Sequence, residues 1–194
     1  MGNKGEALKQ RIVTAADNLF YLHGYDNTSF SDIADAVGIS RGNFYYHFKC
    51  KDEILNAVID TRVASYRAML SDWDKSITDP RLRLYFYIDM QLRNQDNILS
   101  HCCPIGSLCT ELAKVSDSSL HDANKMLAVF RDWLITQLKL LGVKKNAKQI
   151  SMHLLARGQG IATVTNAFAD KKFLQLEVKG LKQWLDDEIL KSIH

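Results

Sequence analysis

Apolar side chains at Ile12, Ala15, Ala16, Leu19 and Phe20 recur at i, i+3, i+4, i+7 and i+8, which gathers them on one face of a helix. That helix is expected to run to about Leu22, because Gly24 follows where a left-handed C-terminal residue is wanted. Ser29 then offers a side-chain oxygen to the open N–H groups of a new turn, with Asp32 three residues on as its partner in a capping box. The spacing predicts a short second helix over Phe30–Val37 that buries Ile33, Ala34 and Val37. Gly38 supplies a tight turn, Ser40 caps a third helix, and Phe44 and Phe48, at i and i+4, face inward. Tyr45, Tyr46 and His47 crowd this third helix although it is only about two turns long.

From Lys51 the pattern changes to long amphipathic repeats, which predict helices over roughly 52–74, 80–100, 118–141, 146–169 and 173–193. Pro80 suits a first helical turn and Gly142 a stop; a shorter helix over about 105–114 follows the break at His101–Pro104. Two prolines interrupt the chain, and β-branched runs with turn punctuation are absent. The expectation is an all-α chain of about nine helices. Residues 1–51 form an N-terminal three-helix domain with a helix-turn-helix, and residues 52–194 a larger helical domain. With no flexible linker between them, the two are expected to share helix four and pack as one body.

Composition narrows the function classes only a little. The 46% of hydrophobic residues support a substantial core, and a net charge of +3 is too small to argue for phosphate binding by itself, so the case rests on motif. The stretch from Met1 to Gln10 is polar and lacks the apolar core of a signal peptide, and no 18-residue apolar run follows. A cytoplasmic protein with no membrane partner is expected, its four cysteines (Cys50, Cys102, Cys103, Cys109) reduced. No cofactor is implied. A thiol enzyme built on Cys103 with His101 or His153 lacks an orienting acid at recognisable spacing, so the chain does not read as an enzyme.

The helix-turn-helix is where chemistry concentrates. The second helix of such a pair enters the major groove N-terminus first, and here the third helix turns Arg41, Gly42, Asn43, Tyr45, Tyr46 and His47 outward, with Lys49 and Lys51 next. Arginine and asparagine can pair with guanine and adenine edges, tyrosine, histidine and lysine suit phosphate oxygens, and Gly42 removes a side chain so that backbone can approach bases. Plainer readings stand beside this: a helical hairpin that never touches DNA, Tyr45 as a packing residue between helices three and four, Lys49 as a solvated charge.

Residues 28–51, TSFSDIADAVGISRGNFYYHFKCK, preceded by His23, Gly24 and Tyr25, resemble the DNA-binding signature of the TetR (tetracycline repressor) family almost position for position. The resemblance implies a nine-helix fold and a transcriptional repressor that binds a palindromic double-stranded DNA operator as a homodimer. It also implies release by a small-molecule inducer that enters the larger, ligand-binding and dimerisation domain. Carried over to matching positions, Thr28, Tyr45, Tyr46, His47 and Lys51 hold phosphates, while Arg41, Gly42 and Asn43 face bases.

In the larger domain the last helix carries two apolar stripes, Phe173, Leu176, Gly180 and Trp184 on one and Leu181, Leu185 and Ile189 on the other. One can face the protomer's core and the other a partner; Gly158 and Gly160 would allow close helix approach, in keeping with a two-fold interface of the last two helices. A monomer with both stripes in its core is the alternative. Tyr66, Trp73, Tyr85, Phe86, Tyr87, Phe130 and Trp133 gather in the middle helices, as core or as the lining of a cavity. Arg131 and Arg157 suit an acidic ligand, or else ordinary surface pairing. The stretch HCCPIGSLCTEL, residues 101–112, with Cys103, Pro104, Ile105, Gly106 and Glu111, resembles a branch of the family with a C-P-[IL]-G motif that includes thiol-based electrophile sensors. Cys103 precedes a helix start, where the dipole favours a thiolate, and Cys102 or Cys109 could resolve it to a disulfide. Structural packing of these cysteines, redox or electrophile sensing, and metal binding through His101, Cys102, Cys103 and Cys109 all remain open at this point.

Overall fold

The computed structural model of the chain describes residues 3–115 and 117–193, which form helices and connecting turns and contain no strand. The helices are α1 (Asn3–His23), α2 (Phe30–Val37), α3 (Arg41–His47), α4 (Lys51–Ser76), α5, α6 (Pro104–Leu112), α7 (Asp117–Leu140), α8 (Ala147–Phe168) and α9 (Lys171–Ile193). Helix α5 is a run of three pieces, Pro80–Ile88, Met90–Arg93 and Gln95–His101. The N–H groups of Asp89, Arg93 and Ile98 donate to the carbonyls of Tyr85, Asp89 and Asn94 at 2.8, 3.0 and 2.9 Å, which carries i to i−4 bonding through both interruptions. Counted this way the described residues hold nine helices, the number and order that the apolar periodicity predicts.

These helices divide into two compact units. The first comprises the chain up to Ala64 together with Ser107–Met126; the second comprises Ser65–Gly106 together with Leu127–His194. The division runs through α4, α6 and α7, and Lys51, where composition changes, falls inside the first unit.

In the first unit α1 packs on α2, with Ile12, Ala16 and Phe20 of α1 and Ile33, Ala34 and Val37 of α2 all buried. Arg62 of α4, itself buried, ties that helix to α1 through Asp17, Nε to Oδ1 at 2.6 Å.

In the second unit α8 lies against α9 and the last piece of α5. Asn166 of α8 donates to the terminal carbonyls of α5, Ile98 and Leu99, at 3.1 and 2.9 Å, so a side chain satisfies what the helix end leaves open. Asp74 gathers Trp133 Nε1 at 3.1 Å, Gln137 Nε2 at 3.0 Å and the Arg83 guanidinium at 3.4 Å, which joins the end of α4 to α5 and α7. On α9 the buried stripe is Leu174, Val178, Leu181, Leu185 and Ile189, and Leu176 stands 69% exposed. Gly158 is buried against Gln91, whose amide donates to its carbonyl at 3.2 Å, whereas Gly160 faces open space. Of the two glycines only Gly160 therefore lies on a face that a second chain could approach.

Among the described residues two that are not glycine adopt positive φ, Ala169 at the C-cap of α8 (φ 49°, ψ 35°) and Cys102 after α5 (φ 64°, ψ −162°). No helix among the described residues is long and apolar enough to cross a membrane.

Candidate nucleic-acid interface

The helix-turn-helix is built from local chemistry. The Ser29 side chain accepts the Asp32 N–H at 3.2 Å and the Asp32 carboxylate accepts the Ser29 N–H at 2.7 Å, which satisfies two open donors at the start of α2. These bonds to its charged form hold the Asp32 carboxyl below its ordinary pKa. At the other end Gly38 takes φ 73°, ψ 41°, a left-handed conformation, and the N–H of Ile39 returns to Ala34 O at 3.1 Å. The Arg11 guanidinium from α1 donates to the Val37 carbonyl at 2.8 Å. Ser40 then opens α3, its hydroxyl accepting the Asn43 N–H at 3.4 Å.

Phe44 and Phe48 are buried, and Phe44 packs on Phe30 with ring centres 5.2 Å apart, so α3 is anchored by one side. The opposite side presents Arg41, Gly42 and Asn43, all exposed, followed by Tyr45 at 46% and Tyr46 at 66% exposure. A Cβ added to Gly42 would meet nothing within 4 Å, so no packing inside the chain requires glycine there. His47 is half-buried, edge-on to Tyr46 at 5.3 Å. Tyr45 stands edge-on to Phe30, at the start of α2, at 5.5 Å.

Around the start of α4 the cations are held in place. The N–H of Lys49 donates to Glu53 Oε2 at 2.7 Å and its ammonium donates to the Tyr45 carbonyl. Lys51 Nζ lies 4.1 Å from the centre of the Tyr25 ring and 3.4 Å from the Asp26 carbonyl. Partial burial lowers its pKa from the ordinary value, against the pull of the Asp26, Glu111 and Asp52 carboxylates. Thr28 differs from its neighbours in the candidate set: it is buried, and its hydroxyl donates to the Gly24 carbonyl at 2.8 Å.

Tyr25, Asp52 and Glu111 also shape this surface; the motifs contain Tyr25 and Glu111 but give neither of them this role. Tyr25 is buried, donates its hydroxyl to Asp52 Oδ1 at 2.9 Å, and has its phenol pushed above the ordinary range by burial first and by Asp52 next. The Tyr25 N–H donates at 2.9 Å to Glu111, which lies 86 residues further on.

The cysteine stretch is placed as follows. Cys103 immediately precedes Pro104, the first residue of α6, and is half-buried; burial first, then the charge of Cys103, pushes the Tyr87 phenol up. Cys102 Sγ lies 3.9 Å from the Thr163 hydroxyl, Cys109 is buried, Cys50 is exposed, and none of the four is in a disulfide. Among the described residues no three His, Cys, Asp or Glu side chains come together as metal ligands would.

Six of the seven middle-helix aromatics form a continuous cluster. Phe130 meets Tyr66 at 5.1 Å and Tyr87 at 5.7 Å, Trp133 meets Tyr87 at 6.5 Å and Trp73 at 5.8 Å, and Trp73 meets Phe86 at 4.9 Å. Tyr85 stands apart on Asp186, its phenol raised to about 12 by burial first and that hydrogen bond next. Arg131 pairs with Asp132 at 2.8 Å and Arg157 lies over the Trp184 ring at 5.1 Å.

Residues 12–58 match the family model of the bacterial regulatory proteins, tetR family. An uncharacterised HTH-type transcriptional regulator of Lactococcus lactis subsp. lactis is 32% identical over 111 residues, 56% of this chain and 57% of that protein. The HTH-type transcriptional regulator TtgR of Pseudomonas putida is 27% identical over 133 residues, 63% of each. The matches thus span about three-fifths of the length of these relatives. A TetR transcriptional regulator from Legionella pneumophila superposes with a TM-score of 0.80 at 23% identity over 97% of both chains, so the fold of the whole chain is of the TetR type.

Proposed function

We propose that this chain, with a TetR-type fold and a tetR-family match over residues 12–58, is a DNA-binding transcriptional regulator. It acts as a repressor, binds a palindromic operator as a homodimer, and is released by a small-molecule or electrophilic inducer. Residues 1–51 are its reading head, and residues 52–194 bind the inducer and the second copy. The observation that carries this reading is α3: a two-turn helix held from behind by Phe44 and Phe48 and bare of packing on the side that bears Arg41, Gly42 and Asn43. A glycine that no internal contact requires, flanked by two base-pairing side chain types, suits a backbone that closes on base edges.

Arg41, Gly42 and Asn43 face bases; Tyr45, Tyr46, His47 and Lys51 take phosphates. Lys51, steered by the Tyr25 ring and the Asp26 carbonyl, does so as a positioned charge. Thr28 serves differently from the role its position suggests. Its hydroxyl is committed to Gly24, so it shapes the turn before α2, and any phosphate contact there falls to its neighbours.

The homodimer forms on the open face of the last two helices. Gly160, Val164 and Phe168 of α8 follow one another at i, i+4 and i+8 and are exposed, as is Leu176 of α9, with the small residue at mid-helix allowing close approach. The inducer reaches either the aromatic cluster around Trp73, Tyr87, Phe130 and Trp133 or the thiols of Cys102 and Cys103, with Cys109 as the buried member of the set.

The test is selection of duplexes from a random pool by the purified protein, followed by footprinting. A pseudo-palindrome occupied two chains at a time, with affinity falling steeply as salt rises, supports the reading. Absence of any preferred sequence, or one chain per site, overturns it.

A further inference from the structure

The segment that leads from α1 into α2 is fastened through both backbone groups of Gly24 and of Tyr25 and through the N–H of Thr28. Its start, Gly24, takes φ +87°, and its carbonyl accepts the Thr28 hydroxyl at 2.8 Å, while the Thr28 N–H donates to the Tyr25 carbonyl at 3.2 Å. The Tyr25 ring is edge-on to Phe20 at 5.2 Å, lies under the Lys51 ammonium at 4.1 Å, and sends its hydroxyl to Asp52. All of these partners belong to the helix-turn-helix and its flanks. Glu111 does not: it reaches in from α6.

The geometry on the receiving side is shaped to that carboxylate. One oxygen, Oε2, takes the Tyr25 N–H at 2.9 Å. The other, Oε1, occupies the space that a side chain at residue 24 would fill, since a Cβ there would come within 2.3 Å of it. The positive φ favours glycine at 24, and any side chain there would displace the Glu111 carboxylate from the Tyr25 N–H. One residue further along, Ser29 caps α2, and α2 leads through Gly38 into α3, so whatever sets the shape of the Gly24–Thr28 turn sets the angle at which α2 and α3 leave α1. A backbone N–H on a buried residue that loses its acceptor is costly to leave unmade, and the turn would shift to find another.

We propose that Glu111 is a positioning residue for DNA binding. Its carboxylate, accepting the Tyr25 N–H beside Gly24, holds the turn that presents the recognition helix. Glu111 touches no DNA; it acts through Tyr25. The inference rests on the DNA-binding reading above, and its test separates the two.

The probe is the duplex that the wild-type protein selects from a random pool, titrated at fixed salt with wild type and with Glu111→Ala, Glu111→Asp and Glu111→Gln. Amide exchange at Tyr25 and thermal melting are followed in the same samples. Loss of one charge-assisted hydrogen bond predicts about ten-fold weaker binding for Glu111→Ala, with faster exchange of the Tyr25 amide. Glu111→Asp, one methylene short, should behave the same way. Glu111→Gln keeps an oxygen at the right reach and should stay within about three-fold of wild type with the amide protected.

If Glu111→Ala does not fold, the aspartate and glutamine variants decide. Wild-type affinity in Glu111→Asp, or an equal loss in Glu111→Gln with the Tyr25 amide still protected, overturns the proposal, because the effect would then be charge near Lys51 and not the hydrogen bond. Unprotected Tyr25 in the wild type overturns it as well. A wild type that selects no duplex defeats the functional reading instead, and the exchange experiment still reports on Glu111.

Discussion

Leu176 and Leu185 lie nine residues apart on α9, which at 100° per residue puts them on opposite sides of the helix, one 69% exposed and the other fully buried. Aspartate at each position separates folding from association. At Leu185 the substitution removes a core side chain, worth about 2–5 kcal/mol, and adds an unpaired buried carboxylate. Against a total stability of about 5–15 kcal/mol, that leaves little or no folded protein. At Leu176 the protomer loses almost nothing, but the dimer loses the apolar surface that the side chain would cover. Taking about 1.5–3 kcal/mol for a fully buried leucine and scaling by the exposed fraction gives about 1–2 kcal/mol per copy, or about 2–4 kcal/mol for the symmetric pair. At 1.4 kcal/mol per decade the dimer dissociation constant should rise about 30-fold to about 1000-fold. Sedimentation over a dilution series measures it, and a circular dichroism melt of the same samples shows whether the chain is folded. A Leu176→Asp chain that is folded and dimerises as tightly as wild type would refute the assignment of the open face, and a monomeric wild type at micromolar concentration would refute the dimer altogether.

Arg41→Ala and Asn43→Ala should relax base preference at their positions by about 1–3 kcal/mol while sparing random DNA, whereas Lys51→Ala should weaken all duplexes alike and flatten the salt dependence; equal loss on selected and random duplexes for Arg41→Ala counts against base reading. Tyr25→Phe removes the hydrogen bond to Asp52, and since Asp52 is exposed and can rehydrate, the cost is about 1 kcal/mol, read as a melting temperature lower by about 2–4 °C. Because burial raises the Tyr25 phenol, this contribution is present below its unfolded value of about 10 and lost as the pH rises past it; a Tyr25→Phe chain with the same alkaline loss as wild type would contradict this. If the inducer is an electrophile, it should release wild type from the operator but not the chain with serine at Cys102, Cys103 and Cys109, and alkylation should be faster at Cys103 than at buried Cys109; unchanged release in that triple variant leaves a non-covalent ligand as the inducer.

Helix ends were legible because their signals are local. The Ser29–Asp32 box, Gly38 and Ser40 place α2 and α3 where reading the residues puts them, and Gly142, found at φ 90°, stops α7 as its type suggests. What periodicity could not supply was the choice between equivalent faces. Both stripes of α9 repeat correctly, and only packing shows that Leu181, Leu185 and Ile189 join Leu174 and Val178 inside. The breaks in α5 at Asp89 and Asn94 carry no proline or glycine to announce them. Within the candidate site the exposed residues of α3 were readable from type and register. The burial of Thr28, the lean of Tyr45 on Phe30 and the reach of Glu111 to Tyr25 were not, since each depends on a partner that the pattern within one helix does not contain.

Cys102 holds a backbone conformation, φ 64° and ψ −162°, that belongs almost to glycine alone and costs about 1–3 kcal/mol for any other residue. Ala169, at φ 49°, carries a smaller version of the same burden. Most substitutions in a folded chain lower its melting temperature, but here are two sites where the simplest of all side chains should not. After allowing about 0.5–1 kcal/mol for the greater freedom of glycine in the unfolded chain, relief of this strain leaves about 0–2.5 kcal/mol for Cys102→Gly, less whatever the Sγ contact with Thr163 contributes, and a melting point no lower than wild type is expected. Whatever stability is gained there widens in advance the mutational tolerance elsewhere, including for the burdensome variants needed to dissect the reading head, by a single change that touches neither core nor recognition helix.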